Sequence, residues 1–102
     1  SDFLSVGDLL LDTTSLALTV QGQAVKLTRT EYAILKLLMK NSKQVIAKSV
    51  LLDKISLDTP DCTDRSLKQH ISNLRKKLQD VSGMDYIETV WGIGFKLTEQ
   101  KS

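Results

Sequence analysis

Asp64-Arg65-Ser66-Leu67-Lys68-Gln69-His70-Ile71-Ser72-Asn73-Leu74-Arg75-Lys76-Lys77-Leu78 is the stretch that decides the fold. Leu67, Ile71, Leu74 and Leu78 step by four, three and four residues, which makes one apolar stripe on a helix of period 3.6. The other positions are polar or charged, with five Lys or Arg against a single Asp, a net +4, while the whole chain is net +2. Everything outside the stretch is therefore slightly acidic, and one helix concentrates the positive charge. A helix with a dry side, a cationic side and short amide and hydroxyl groups has the chemistry of a major-groove reader. A solvated amphipathic helix carries the same signature, so the surrounding sequence has to decide.

The chain has 102 residues, 41% hydrophobic and 25% charged, with one Pro. This is one domain, able to bury roughly 60–65% of its unfolded surface. No apolar run approaches the ~20 residues that span a bilayer. The opening Ser1-Asp2-Phe3 lacks a basic n-region, so no secretory signal is expected. Cys62 is the sole cysteine and His70 the sole histidine. An internal disulfide is impossible, a cytoplasmic setting is the simple expectation, and a four-ligand zinc site cannot be assembled. No nucleophile–base constellation, metal cluster or phosphate loop is visible, so neither enzymatic activity nor a cofactor is expected.

Working outward, residues 4–27 read as short strands broken by turn formers. Leu4-Ser5-Val6 precedes Gly7-Asp8, Leu9-Leu10-Leu11 precedes Asp12-Thr13-Thr14-Ser15, and Leu16, Leu18 and Val20 alternate onto one face. Gln21-Gly22 is a tight-turn candidate before Ala24-Val25-Lys26-Leu27. Together they predict a small antiparallel sheet with one buried face. Thr28 with Glu31 predicts a capping box opening a helix over about 29–40. Val45-Ile46 reads as an extended link, and 48–55 as a short helix poorly capped by Ala47. A loop over 56–63 holds Pro60. Thr63 caps the basic helix, about 64–80, and Gly83 ends it. Tyr86 to Thr98 reads as strand, turn, strand. Gly92-Ile93-Gly94 fits a hairpin turn needing positive φ better than a nucleotide fingerprint, because no helix follows the glycines.

The order sheet, helix, helix, loop, basic helix, hairpin is that of an α+β winged helix-turn-helix. Three motifs also resemble a known family. Leu27-Thr28-x-x-Glu31-Tyr32-x-Ile34-Leu35 is similar to the LTxxEfxLL opening of the effector domains of OmpR/PhoB-type response regulators. Arg65-Ser66-Leu67-x-x-His70-Ile71-Ser72-x-Leu74-Arg75-Lys76-Lys77-Leu78 resembles their RTVDVHISRLRKKL. Ile87-x-Thr89-Val90-Trp91-Gly92-Ile93-Gly94-Phe95-Lys96-Leu97 resembles IxTVRGxGYRL. The resemblance covers nearly the whole chain in order. It implies an N-terminal four-stranded antiparallel sheet, three helices and a C-terminal β-hairpin wing over about 86–98. It also implies that the third helix enters the major groove and that the wing lies on the adjacent minor groove or backbone.

Helical spacing places Ser66, Gln69, His70 and Asn73 on one side of the basic helix. Gln and Asn pair bidentately with adenine, and Ser reaches any base edge. Gln69 and Asn73 are therefore the expected base readers, with Ser66 third. The resemblance assigns Arg65, His70, Arg75, Lys77 and Thr89 to phosphate, and His70 reads equally well as a packing residue at the stripe's edge. For Lys68 and Lys76 a solvated role is as good. Lys68 stands where the family often has Asp, Asn73 where it often has Arg, and Phe95 where it usually has Tyr. On the wing, Lys96 remains a candidate. Trp91 replaces a frequent Arg; it would pack the wing onto the third helix or lie against sugar-phosphate, and packing is the favoured reading. The loop holding Leu57, Asp58 and Asp61 matches the family segment that touches RNA polymerase, and reads equally well as a connector.

The resemblance thus implies the DNA-binding effector domain, residues 1–102, of a bacterial two-component response regulator. It would bind double-stranded DNA as two copies on tandem half-sites, under control of a phosphorylated receiver domain outside this sequence, and without a membrane. The alternatives are a winged-helix module for protein contact and the same effector domain fused to a membrane sensor.

Overall fold

The computed structural model describes residues 2–98. Four strands open the chain: β1 (Phe3–Val6), β2 (Leu9–Asp12), β3 (Ala17–Val20) and β4 (Gln23–Val25). They form an antiparallel sheet in the order β1-β2-β3-β4, with Leu11 opposite Leu18 and Leu9 opposite Val20. All four of those side chains are fully buried, so this is the face that packs inward. The Asp12 carboxylate accepts the amides of Thr14 and Ser15, which closes the β2–β3 turn and holds its pKa below the ordinary value. That turn corrects the alternation expected for Leu16: its φ is 61° and its side chain is 53% exposed, so only Leu18 and Val20 share the inner face. Gln21 and Gly22, both at positive φ, make the two-residue hairpin loop before β4, as their position suggested. β4 stops at Val25, short of Lys26-Leu27.

Helix α1 (Arg29–Lys40) starts on the capping box, with the Thr28 side chain taking the Glu31 amide and the Glu31 carboxylate taking the Thr28 amide. It buries Ile34, Leu35, Leu38 and Met39. β5 (Ile46–Ala47) and α2 (Lys48–Ile55) follow, the latter without a side-chain cap. Helix α3 (Asp64–Ser82) buries Leu67, Ile71, Leu74 and Leu78 against α1 and the sheet, and closes on Gly83. β6 (Ile87–Val90) and β7 (Gly94–Leu97) form the wing.

The wing is stitched to the rest of the molecule by β5. The segment expected to be a bare link is a strand of a second sheet, order β5-β7-β6, pairing Ile46 with Phe95 and Ala47 with Gly94. The Lys48 amide also donates to the Ile93 carbonyl at 3.2 Å, and the Lys43 amide to that of Leu97 at 3.0 Å. Here the two wing glycines part company. Gly92 has φ 77°, as a turn residue would, but Gly94 is a strand residue outside the positive-φ region. A Cβ on Gly94 would lie 1.9 Å from the Ile46 carbonyl oxygen, so glycine is required there by close backbone approach.

Gly94→Ala is therefore expected to push β7 off β5 and to destabilise the fold by about 3 kcal/mol. A shift of the urea midpoint measures it; an unshifted midpoint would show that β5 and the wing are not in register.

Candidate nucleic-acid interface

With its leucine stripe turned inward, α3 offers solvent the opposite side. Arg65, Lys68, Gln69, Ser72, Asn73 and Lys76 are all exposed there. Gln69 and Asn73, one turn apart, join through a 2.9 Å hydrogen bond from Gln69 Nε2 to Asn73 Oδ1. The bond aligns the two amides while leaving Gln69 Oε1 and Asn73 Nδ2 free to accept from and donate to a ligand. Both positions expected to read bases are thus open to solvent on the outward side, with part of their hydrogen-bonding capacity shared between them.

Other expected positions are placed differently. Ser66 is half-buried at the third position of α3, where Thr63 and Ser66 form a reciprocal capping box. Its hydroxyl accepts the Thr63 amide at 2.9 Å and donates to the Thr63 carbonyl at 3.3 Å. That use of the side chain satisfies the helix start and turns it away from the outward face. Lys77 reaches across to α1, where its ammonium pairs with the Glu31 carboxylate, 2% exposed, and donates to the Lys26 carbonyl at 3.0 Å. It is a tie between α3 and α1 and does not join the outward cations.

Arg75 points to the wing. Its guanidinium donates to the Ile87 carbonyl and to Thr89 Oγ1 at 3.2 Å, and its Nε lies 3.2 Å from the Asp85 carboxylate. Arg75 and Thr89, both expected at phosphate, are thus joined to each other and hold β6 to α3. His70 is half-buried on the flank of the stripe. Lys96 pairs across the wing with Glu88 at 3.6 Å. Lys48 pairs with Asp64 at 3.3 Å, tying α2 to the start of α3. Trp91 corrects the expectation that it would pack: it is 85% exposed at the wing tip.

Between α3 and the wing runs a cleft of about 550 Å³ bordered by Arg65, Gln69, Ser72, Arg75, Thr89 and Trp91. Ser72 is the outward hydroxyl that the reading of Ser66 overlooked. Its position three residues after Gln69 was visible in the helical spacing. The loop after α2 leaves Leu57 93% exposed with Asp58 and Asp61 beside it in solvent, while Thr59 is buried and bonds back to the Ile55 carbonyl. Among the described residues, no group of three or more His, Cys, Asp or Glu could hold a metal, and no helix is long and apolar enough to cross a membrane.

A three-helix core, a second helix leading into an outward basic helix and a C-terminal β-hairpin together define a winged helix-turn-helix. Residues 22–97 match the family described as "Transcriptional regulatory protein, C terminal", and the chain belongs to that family. It is 33% identical over 100 residues to the transcriptional regulatory protein QseB of Escherichia coli O157:H7, covering 98% of this chain and 44% of QseB. The chain thus spans less than half the length of the curated relatives it matches. The C-terminal domain of the nisin resistance regulator NsrR superposes with TM-score 0.83 at 34% identity, covering 96% of this chain and 99% of that one. The RstA DNA-binding domain of Klebsiella pneumoniae, solved in complex with the RstA box, superposes at 0.80 with 30% identity, covering 96% and 98%.

Removing the ammonium that faces a buried carboxylate is costly even when the cation is partly solvated. Lys77→Met is expected to lower stability by about 2–3 kcal/mol, whereas Lys76→Met on the outward face should stay within about 0.5 kcal/mol. Chemical denaturation compares them; equal midpoints would mean that the Glu31 tie contributes nothing.

Proposed function

We propose that the chain is the DNA-binding effector domain of a two-component response regulator, which binds double-stranded DNA sequence-specifically and so controls transcription. The observation that carries this reading is the aligned Gln69–Asn73 pair, exposed on a helix whose apolar stripe is fully covered and whose neighbours are Arg65, Lys68 and Lys76. α3 occupies the major groove, Gln69 and Asn73 read base edges, and Ser72 lies within reach of the same groove. Arg65, Lys68 and Lys76 hold phosphates, which fixes register without reading sequence. The wing follows the adjacent minor groove or backbone. The RstA complex supports this reading, because that fold relative is solved on its own DNA box.

The role is binding without catalysis, in the cytoplasm. Residues 1–102 act as one effector unit whose receiver domain sets activity through phosphorylation, and a second copy occupies a tandem half-site. The exposed Leu57, with Asp58 and Asp61, offers RNA polymerase an apolar point rimmed by carboxylates.

Each phosphate neutralised contributes about −0.9 to the slope of log affinity against log salt. Three outward cations on α3 therefore give about −2.7 from that helix alone. A slope near zero would reject phosphate-based binding in favour of a protein-contact module. In selection from a random duplex pool, Gln69→Ala and Asn73→Ala should each relax preference at one base step, at about 1–3 kcal/mol per contact. Unchanged preference in both variants would remove them from the reading surface.

A further inference from the structure

A second cationic surface lies on the side of α1 turned away from α3. Arg29, Lys36 and Lys40 share one side of the helix, with Ala33 between them in a four, three, four spacing. Glu31 marks the other side, where it meets Lys77 of α3. Lys40 follows Glu31 by nine residues, about two and a half turns, and so points the opposite way. Lys54 of α2 faces Lys36 and Lys40 across a hollow of about 240 Å³ lined by Ala33, Leu37 and Ile55. A second hollow of about 400 Å³ continues past Tyr32 to Arg29 and to Leu16 of the β2–β3 turn. The two share Tyr32, Ala33 and Lys36, and together they make one groove with an apolar floor and a cationic rim.

The rim is unpaired. Arg29, Lys40 and Lys54 are exposed, and the half-buried Lys36 holds its ammonium 5.9 Å from the centre of the Tyr32 ring. Among the described residues the ion pairs are Lys48–Asp64, Arg75–Asp85, Lys77–Glu31 and Lys96–Glu88, and none of the four rim cations takes part. Asp58 is the one carboxylate on the groove's border. Four cations against one carboxylate give a positive potential that attracts an anionic partner. The floor narrows the choice. A duplex offers phosphates but nothing apolar to fill Ala33, Leu37 and Ile55, whereas an acidic amphipathic helix offers both. We infer that this groove docks an acidic amphipathic segment of another protein. Its apolar side chains lie on Ala33, Leu37 and Ile55, and its carboxylates face Lys36, Lys40 and Lys54. Because the groove opens away from α3, such a partner is held while α3 is engaged elsewhere, and the inference does not depend on what α3 binds.

The probe is a synthetic helical peptide about as long as α1, with leucines along one face and glutamates flanking them. Added to the chain, it should shift the backbone amide resonances of Ala33, Lys36 and Leu37 and leave those of Gln69 and Asn73 in place. Lys36→Glu combined with Lys40→Glu should weaken binding at least roughly tenfold. Lys54→Glu, on a different helix, should weaken it roughly threefold. These side chains make no ion pair within the fold, so the variants should keep the natural unfolding midpoint. Leu57→Ser, on the neighbouring loop, should leave peptide binding unchanged. Replacing the peptide's leucines by serine should abolish binding, and a duplex should not displace the peptide. Shifts at Gln69 and Asn73 instead of α1, equal binding by the charge-reversed variants, or displacement by duplex overturns the inference. Undiminished binding of the leucine-free peptide reduces the groove to a bare polyanion site and also overturns it. Shifts at Ala33 and Leu37 that grow with protein concentration alone overturn it in favour of a second copy. A groove closed to the peptide when the chain carries its receiver domain overturns it in favour of an intramolecular occupant.

Discussion

The inward burial of Leu67, Ile71, Leu74 and Leu78 fixes everything that α3 can do. Three of these are fully covered and Ile71 is 2% exposed. At roughly 1.5–3 kcal/mol for each fully buried aliphatic side chain, the stripe contributes on the order of the net stability of a whole domain. A helix anchored so strongly on one side has no freedom to roll, and its opposite side is determined by subtraction. Ties on the helix flanks and at its start complete the constraint: Lys77 to Glu31 on α1, Arg75 to the Ile87 carbonyl and Thr89 on the wing, and Asp64 to Lys48 on α2. The core therefore sets the side of the helix on which the amide pair lies, and the Gln69–Asn73 hydrogen bond aligns the two amides there.

Those ties also explain which residues of α3 could be assigned from sequence and which could not. Helical periodicity separates the centre of the buried face from the centre of the exposed one, and both were legible: the four apolar positions lie inside, and Gln69 and Asn73 lie outside. Residues on the flanks fall between the two, and their roles depend on partners distant in the chain. Lys77 finds Glu31 46 positions away and Arg75 finds Thr89 14 positions away. Neither spacing leaves a local signature. Ser66 failed for the opposite reason. Its partner, Thr63, is only three residues back, but the usual capping box has Glu or Gln at the third position, and here a serine serves through its hydroxyl.

The sheet shows the same division. The four short strands were readable from turn formers and alternation, whereas β5, two residues long, is too short for alternation to register. Its existence depends on β7, nearly fifty residues later in the chain. The spacing of Gly92 and Gly94 suggested one turn with two permissive residues. The fold gives them separate tasks, one bending the tip and the other letting β5 come within contact of the wing.

Counting charge on a helix overstates what it can offer to a polyanion. The stretch from Asp64 to Leu78 carries five cations, but Lys77 is occupied by a buried carboxylate and Arg75 by the wing. Arg65, Lys68 and Lys76 remain outward. The charges spent inside are not idle, because Arg75 holds the wing and α3 as one frame by donating to two wing acceptors, the Ile87 carbonyl and Thr89 Oγ1, beside the Asp85 carboxylate, and lysine has no planar fork to do the same. Recognition by such a frame is set by which side chains occupy the outward positions and the wing tip, since the angle between the two elements is already fixed by the fold. The charge that α3 itself presents outward is then that of three side chains, Arg65, Lys68 and Lys76, and not of the five that composition counts.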